Sequence, residues 1–220
     1  MRRFGFFGFA ALILASALIF TSCVKQGDMA IQQGASYFQR GKFDLAENAY
    51  KMALDVECSY PKEDIYILIS NCRSQQRDYD GAIEWRNKAL AIREDAGNYM
   101  NLGLIYRLKK DEATAEEMYK KAVEISPKNP NTHGSLGSLY LSQGRIDEAI
   151  PLFKKCLELN PSIAQIHANL AVCYARKNLF DEAEDELEEA KRYRLDTYAE
   201  FRKEVDALEK SAGYEKKEQP

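Results

Sequence analysis

The chain carries none of the motifs on which a reaction is usually built. It has no G-x-S-x-G for a nucleophile elbow, no H-E-x-x-H for a zinc-bound water and no glycine-rich loop for a phosphate. Its two histidines, His133 and His167, have no Cys, Asp or Glu cluster at ligand spacing beside them, so no metal-ligand set is legible. Basic charge is in deficit too: 31 Lys and Arg stand against 34 Asp and Glu, a net charge of −3. A nucleic-acid binder needs a basic stripe, and the charges here alternate in sign instead. Glu116, Glu117, Lys120 and Lys121, or Glu182, Asp185, Glu188 and Lys191, read as the solvated faces of helices. The expectation is a chain that is not an enzyme, takes no cofactor and binds no nucleic acid.

One long apolar run is present. It extends from Phe4 to Phe20 behind Arg2 and Arg3 and ends in Thr21, Ser22 and Cys23. Residues 1–22 therefore read as a secretory signal to be set aside from the fold, the run being at the short end of the ~17–25 residues that span a bilayer. The Phe-Thr-Ser-Cys ending resembles a bacterial lipobox, although Phe20 stands where that pattern favours Leu. The resemblance implies that Cys23 becomes a lipidated first residue, with residues 23–26 as a short linker; plain cleavage or an uncleaved anchor are the alternatives. Several acyl chains at about 0.8 kcal/mol per CH₂ would hold the protein permanently on a membrane. Val24 and Lys25 offer no Asp of the kind that retains enterobacterial lipoproteins at the inner membrane, which favours an outer-membrane anchor facing the periplasm. Removing residues 1–22 takes away two Arg and no acid, so the net charge falls to −5.

Beyond that run the apolar residues fall at helical spacing. In residues 130–163, Leu136, Leu139 and Tyr140 precede Gly144, and Ile150, Leu152, Phe153, Leu157 and Leu159 follow it, with Pro161 at the end. Gly137, Ala149 and Cys156 are small residues placed where two helices would touch. The pattern recurs. The first small position holds Gly34, Ser70, Gly103, Gly137 and Ala171; the second holds Ala46, Ala82, Ala115, Ala149 and Ala183; the third holds Ala53, Ala89, Ala122, Cys156 and Ala190. Tyr37, Tyr106, Tyr140 and Tyr174 stand before the turn. A bulky side chain at a small position would force the helices apart, at about 1–3 kcal/mol.

These residues resemble the tetratricopeptide repeat, with Leu-Gly-x-x-Tyr in its first helix, Ala-x-x-x-Phe in its second and a closing Pro in a unit of ~34 residues. The resemblance implies an all-α fold, a right-handed α-solenoid of five helix-turn-helix repeats over 27–60, 63–95, 96–129, 130–163 and 164–197. Tyr198, Phe201, Val205 and Leu208 add an amphipathic capping helix over 198–210, and residues 211–220 form a tail expected not to pack. Asp44, three residues before Glu47, reads as a capping box, with Asp80, Asp147 and Asp181 at the equivalent place. Pro151 reads as lying in a first helical turn. Repeat two deviates: Arg73 and Arg86 replace its aromatics, Trp85 offers to pack one position earlier, and a softer repeat is expected. His133 and His167 share one repeat position and read as rings packed on the preceding helix. Cys156 and Cys173 are open to a disulfide or to a pair of buried thiols.

In this family the second, fifth, ninth, twelfth and thirteenth positions of each first helix line a concave groove. The resemblance therefore implies a partner-binding surface among Ile31, Phe38, Ile67, Asn71, Met100, Leu104, Arg107, Leu141 and Val172. Carboxylate capture by Lys and Asn at the fifth and ninth positions of the first repeat is not expected, since Ile31 and Ala35 stand there. The reading is a lipid-anchored scaffold that holds a partner helix or apolar segment in the groove, in pilus, secretion or other envelope assembly; the alternative is a carrier of an apolar small ligand for an envelope transporter. An apolar groove can also be closed by a second copy, so a homo-oligomer stays open.

Overall fold

The computed structural model describes residues 25–214, which form eleven α-helices and no strand. Cys23, the run before it and the tail beyond Tyr214 lie outside the described residues. The helices divide between two units that meet in sequence at Glu94 and Asp95. The first unit holds α1 (Gln26–Gln39), α2 (Phe43–Asp55), α3 (Lys62–Gln75) and α4 (Tyr79–Ile92). The second holds α5 (Ala96–Leu108), α6 (Glu112–Ile125), α7 (Pro130–Ser142), α8 (Ile146–Leu159), α9 (Ala164–Arg176), α10 (Phe180–Arg192) and α11 (Tyr198–Ala212). Each odd-numbered helix from α1 to α9 pairs with the next as an antiparallel hairpin.

The small residues sit where two helices must touch. Ala46, Ala82, Ala115, Ala149 and Ala183, and about two turns further along Ala53, Ala89, Ala122, Cys156 and Ala190, are all at most 1 % exposed. On the facing helices, a Cβ added at Gly103 would lie 2.7 Å from the Tyr119 ring, and one at Gly137 would lie 2.8 Å from the Phe153 ring. In both hairpins the aromatic ring rests on the bare backbone of the first helix.

The turns inside the hairpins share one geometry. Gly41, Arg77, Lys110, Gly144 and Asn178 each adopt a left-handed φ of 58° to 74°. The N–H of the following residue reaches back to the carbonyl of Tyr37, Arg73, Tyr106, Tyr140 or Tyr174, satisfying an orphan group of the helix end. Only two of the five turns use glycine, although the left-handed region costs other L-residues roughly 1–2 kcal/mol.

Helix starts are capped differently from the sequence expectation. Asp44 caps nothing; its carboxylate accepts from Gln76 Nε2 at 2.9 Å, and Glu47 binds Arg73 and Lys51. Asp147 pairs with Lys177, and Asp181 accepts from the Tyr214 hydroxyl at 2.6 Å. The side-chain caps are Asp78, Asp95, Asp111 and Asn129, each accepting from a backbone N–H two or three residues on. Pro151 is also displaced from its expected place. Helix α8 starts at Ile146, which puts Pro151 beyond the first turn, on the exposed face. Proline has no N–H to give the Asp147 carbonyl four residues earlier.

In the first unit, Tyr50, Ile65, Ile69 and Cys72 are the centre of the core. The place expected to want an aromatic ring in α4 is filled by Arg86 itself, 2 % exposed, whose Nη2 donates to Asn71 Oδ1 at 2.7 Å. Trp85 packs at the edge of this core with its ring 5.5 Å from that of Tyr66 and with the Lys88 ammonium 3.9 Å above it. Arg73 spans Glu47 and Asp78 at 2.6 and 2.7 Å. Ser70, fully buried, donates its hydroxyl to the Ala82 carbonyl at 2.7 Å.

In the second unit, Leu139, Phe153, Cys156, Leu170 and Cys173 form one continuous core, and α11 closes its end by burying Val205 against Val172, Leu187 and Phe180. Unlike the helices before it, α11 rests more on α9 than on α10. Arg145 joins Glu116 at 2.6 Å and Glu148 at 2.7 Å and stacks on the Tyr140 ring at 3.9 Å, while the Tyr140 hydroxyl donates to Glu116. The Arg145 guanidinium, helped by Lys120 and Tyr140 against the opposing effect of burial, holds the Glu116 carboxyl at about 2.

All four cysteines among the described residues are free thiols. Burial pushes Cys72 and Cys173 up to about 12 and Cys156 above its ordinary value. Cys58, only partly buried, lies in the loop after α2 beside Asp28.

Candidate partner-binding cleft

Helices α5, α7 and α9 of the second unit frame a cleft of about 490 Å³. From α5 it takes Gly97, Met100, Asn101, Leu104 and Arg107, residues spaced by three and four along one helical face. Opposite them stand Asn131, Gly134, Ser135 and Ser138 of α7, then Gln165 and Ile166 at the start of α9. Tyr119 and Cys156, both buried, also border it. Small residues on α7 are what leave the space open: a Cβ at Gly134 would come within 3.0 Å of Ile166.

One wall is polar and already ordered. Gln165 Nε2 donates to Asn169 Oδ1 at 3.2 Å, Asn169 Nδ2 to Ser138 Oγ at 3.3 Å, and Ser138 Oγ to the Gly134 carbonyl at 2.8 Å. Asn101 Nδ2 donates to the Gly97 carbonyl at 2.8 Å. Leu104 supplies the apolar counterpart and is 38 % exposed. Burial raises the Tyr119 phenol above its ordinary value, with the Arg107 charge working against the rise.

Of the nine groove residues expected from the sequence, the structure brings Met100, Leu104 and Arg107 together in this cleft. Ile31 and Val172 are not surface residues: they are 5 % and 2 % exposed, Ile31 packed in the first unit's core and Val172 under α11. Leu141 is half-buried between the two cores of the second unit. Phe38 sets its ring edge-on to Phe43 at 5.2 Å, Asn71 is taken by Arg86, and Ile67 is half-buried. Five of the cleft's other lining residues were within reach of the same counting. Gly97, Asn131 and Gln165 are second positions of their repeats, Gly134 a fifth and Ser138 a ninth; a search weighted toward apolar side chains passes over them.

The histidines do hold equivalent places. His133 Nε2 lies 2.8 Å from the Pro127 carbonyl and His167 Nε2 2.8 Å from that of Pro161, so each ring donates to the turn that joins one hairpin to the next. His167 also meets Glu186 through Nδ1 at 2.6 Å and stacks on Tyr193. Burial works against its charge, but Glu186 and the Pro161 carbonyl outweigh it and hold His167 above the usual imidazole value.

Three family models, each described as tetratricopeptide repeat, match residues 31–99, 95–162 and 140–203. The chain belongs to the tetratricopeptide repeat family. Among curated relatives with such similarity, the BBSome complex member BBS4 of Bos taurus is 33% identical over 118 residues, which is 54% of this chain and 22% of that protein. The photosystem I assembly protein Ycf3 of Prochlorococcus marinus is 29% identical over 108 residues, 47% of this chain and 62% of the relative. The chain thus spans about a fifth of the length of BBS4 and somewhat under two thirds of Ycf3. Among solved structures of tetratricopeptide folds, MamA superposes with a TM-score of 0.62 at 22% identity, covering 87% of this chain and 99% of MamA. YrrB, a TPR protein with an unusual peptide-binding site, gives 0.57 at 22%, covering 82% and 90%. At such identities the structural likeness concerns the fold.

Proposed function

We propose that this chain is a non-catalytic scaffold that holds a segment of a protein partner in the cleft between α5, α7 and α9, carried on the outer membrane of a bacterium by a lipid on Cys23. The observation that carries the docking half is the exposed Leu104 beside Met100 at the mouth of a preformed cleft whose opposite wall is a hydrogen-bonded polar ladder. Apolar shelf plus ordered polar wall is the composition of a recognition site. Family membership supports it, since stacked helical hairpins are surfaces for binding other chains, and a peptide-binding site is stated for the similarly folded YrrB. The anchoring half rests on the lipobox-like ending at Cys23 and the lack of Asp after it. Substituting Met100 and Leu104 together by Asp should abolish crosslinking to the partner in living cells while the helical circular dichroism stays as in the wild type; undiminished crosslinking would refute the cleft as the site. Independently, Cys23→Ser should end labelling by a fatty-acid analogue and release the protein from the membrane fraction.

A further inference from the structure

The cleft's charge runs against that of the chain. Acids outnumber bases by 34 to 31 in the sequence, yet no Asp or Glu lines the cleft and its single charged side chain is Arg107. Three other half-buried arginines each hold a carboxylate: Arg73 on Glu47, Arg145 on Glu116 and Arg202 on Glu184. Arg107, half-buried in the last turn of α5, has no carboxylate among the described residues. A guanidinium that has given up part of its hydration without an ion partner is a ready acceptor for one from outside, and its planar fork suits a carboxylate in two-point contact.

The spacing along α5 limits what can deliver that carboxylate. Arg107 and Met100 are separated by seven residues of helix, or about 10 Å at ~1.5 Å each. An extended chain covers the same span in roughly three residues at ~3.3 Å each. The Gln165–Asn169–Ser138 ladder opposite offers fixed amide and hydroxyl groups to peptide N–H and C=O, whereas an alkyl chain would cover these groups without pairing them. We propose that the cleft selects an extended protein segment bearing an acidic side chain about three residues from an apolar one, the acid on Arg107 and the apolar side chain on Met100 and Leu104. This deepens the docking reading of the cleft and depends on it.

A displayed library of random short peptides panned against the full chain in detergent tests the selection. Enriched peptides should carry Asp or Glu at that offset from an apolar residue. Binding of an enriched peptide should fall about tenfold or more with Arg107→Glu, as expected for reversing one member of a partly desolvated charge pair. It should fall likewise when the peptide's acid becomes an amide, and return in Arg107→Glu when that acid becomes Lys. Arg107→Gln serves if the Glu variant loses its helical signal. Peptides without acids, or peptides that bind Arg107→Glu as well as wild type while losing binding to Leu104→Asp, would overturn the acidic preference and leave the docking reading intact. Binding indifferent to both substitutions would overturn both. A fatty acid retained in native mass spectrometry and lost in Arg107→Glu, with no peptide enriched, would make the occupant a lipid and overturn the proposal.

Discussion

In the α7–α8 hairpin of the second unit, Gly137 lets the Phe153 ring lie on the backbone of the first helix; in the α3–α4 hairpin of the first unit the same two places hold Ser70 and Arg86. Both hairpins bury their alanine position completely, Ala149 in one and Ala82 in the other. They differ in what fills the interior. Phe153 contributes apolar area and needs no partner, while Ser70 and Arg86 call for hydrogen bonds, the Ser70 hydroxyl donating to the Ala82 carbonyl and Arg86 Nη2 to Asn71. Buried polar groups are costly unless paired, so the α3–α4 hairpin is held by contacts that contribute less net free energy than a ring. The repeat geometry thus constrains size at the small positions and leaves the chemistry of the neighbouring place open.

Mutations can break or sharpen this contrast. Phe153→Ala should destabilise the second unit by about 3–5 kcal/mol through the cavity it leaves, and Gly137→Ala by about 1–3 kcal/mol through overlap with the ring. Ser70→Ala should cost only about 0.5–1.5 kcal/mol, one net hydrogen bond. Native-state hydrogen exchange reads all three locally, and in the wild type amides of α3 and α4 should exchange before those of α7 and α8. Uniform protection would dissolve the distinction between the two hairpins.

A smaller effect is expected at the Glu116–Arg145 pair, which joins α6 to the start of α8. Glu116 sits at about 2 in the folded chain against an ordinary 4.5, so its contribution is complete above the ordinary value and disappears as pH falls toward 2. Glu116→Gln should therefore lower the melting temperature at neutral pH and flatten its fall between pH 4.5 and 2; a parallel fall in wild type and variant would mean the pair adds nothing. The smallest effect belongs to the turns. Lys110→Gly and Arg77→Gly relieve a left-handed residue at φ 66° and 62°, and each should raise stability by about 0.5–1 kcal/mol, the strain relieved exceeding the entropy glycine loses on folding. Thermal melts of the two variants check this, and a loss of stability in either would show that its side chain makes contacts worth more than the strain.

The hairpins were legible because close approach demands small residues at fixed intervals, and Ala46, Ala115 or Cys156 can be read off as such. The turn backbone was legible only in part: Gly41 and Gly144 announce a left-handed residue, Arg77 and Lys110 do not. Capping misled because an Asp near a helix start has several possible neighbours; Asp44 and Asp181 find theirs, Gln76 and Tyr214, some thirty residues away in sequence. Arg86 was unexpected inside the core since its stem is long enough to fill a ring's volume while its head reaches Asn71. For the cleft, position counting picks out the α5 residues Met100, Leu104 and Arg107 that line it, but whether Val172 is exposed depends on α11, whose lean onto α9 is a matter of tertiary packing that no local pattern encodes.

The sealing of Cys72, Cys156 and Cys173 leaves Cys58 as the thiol among the described residues that meets solvent. A maleimide dye or a solid support would then couple to the folded protein at the loop following α2, in a different unit from the cleft, giving a natural handle for immobilised binding measurements without any engineered residue.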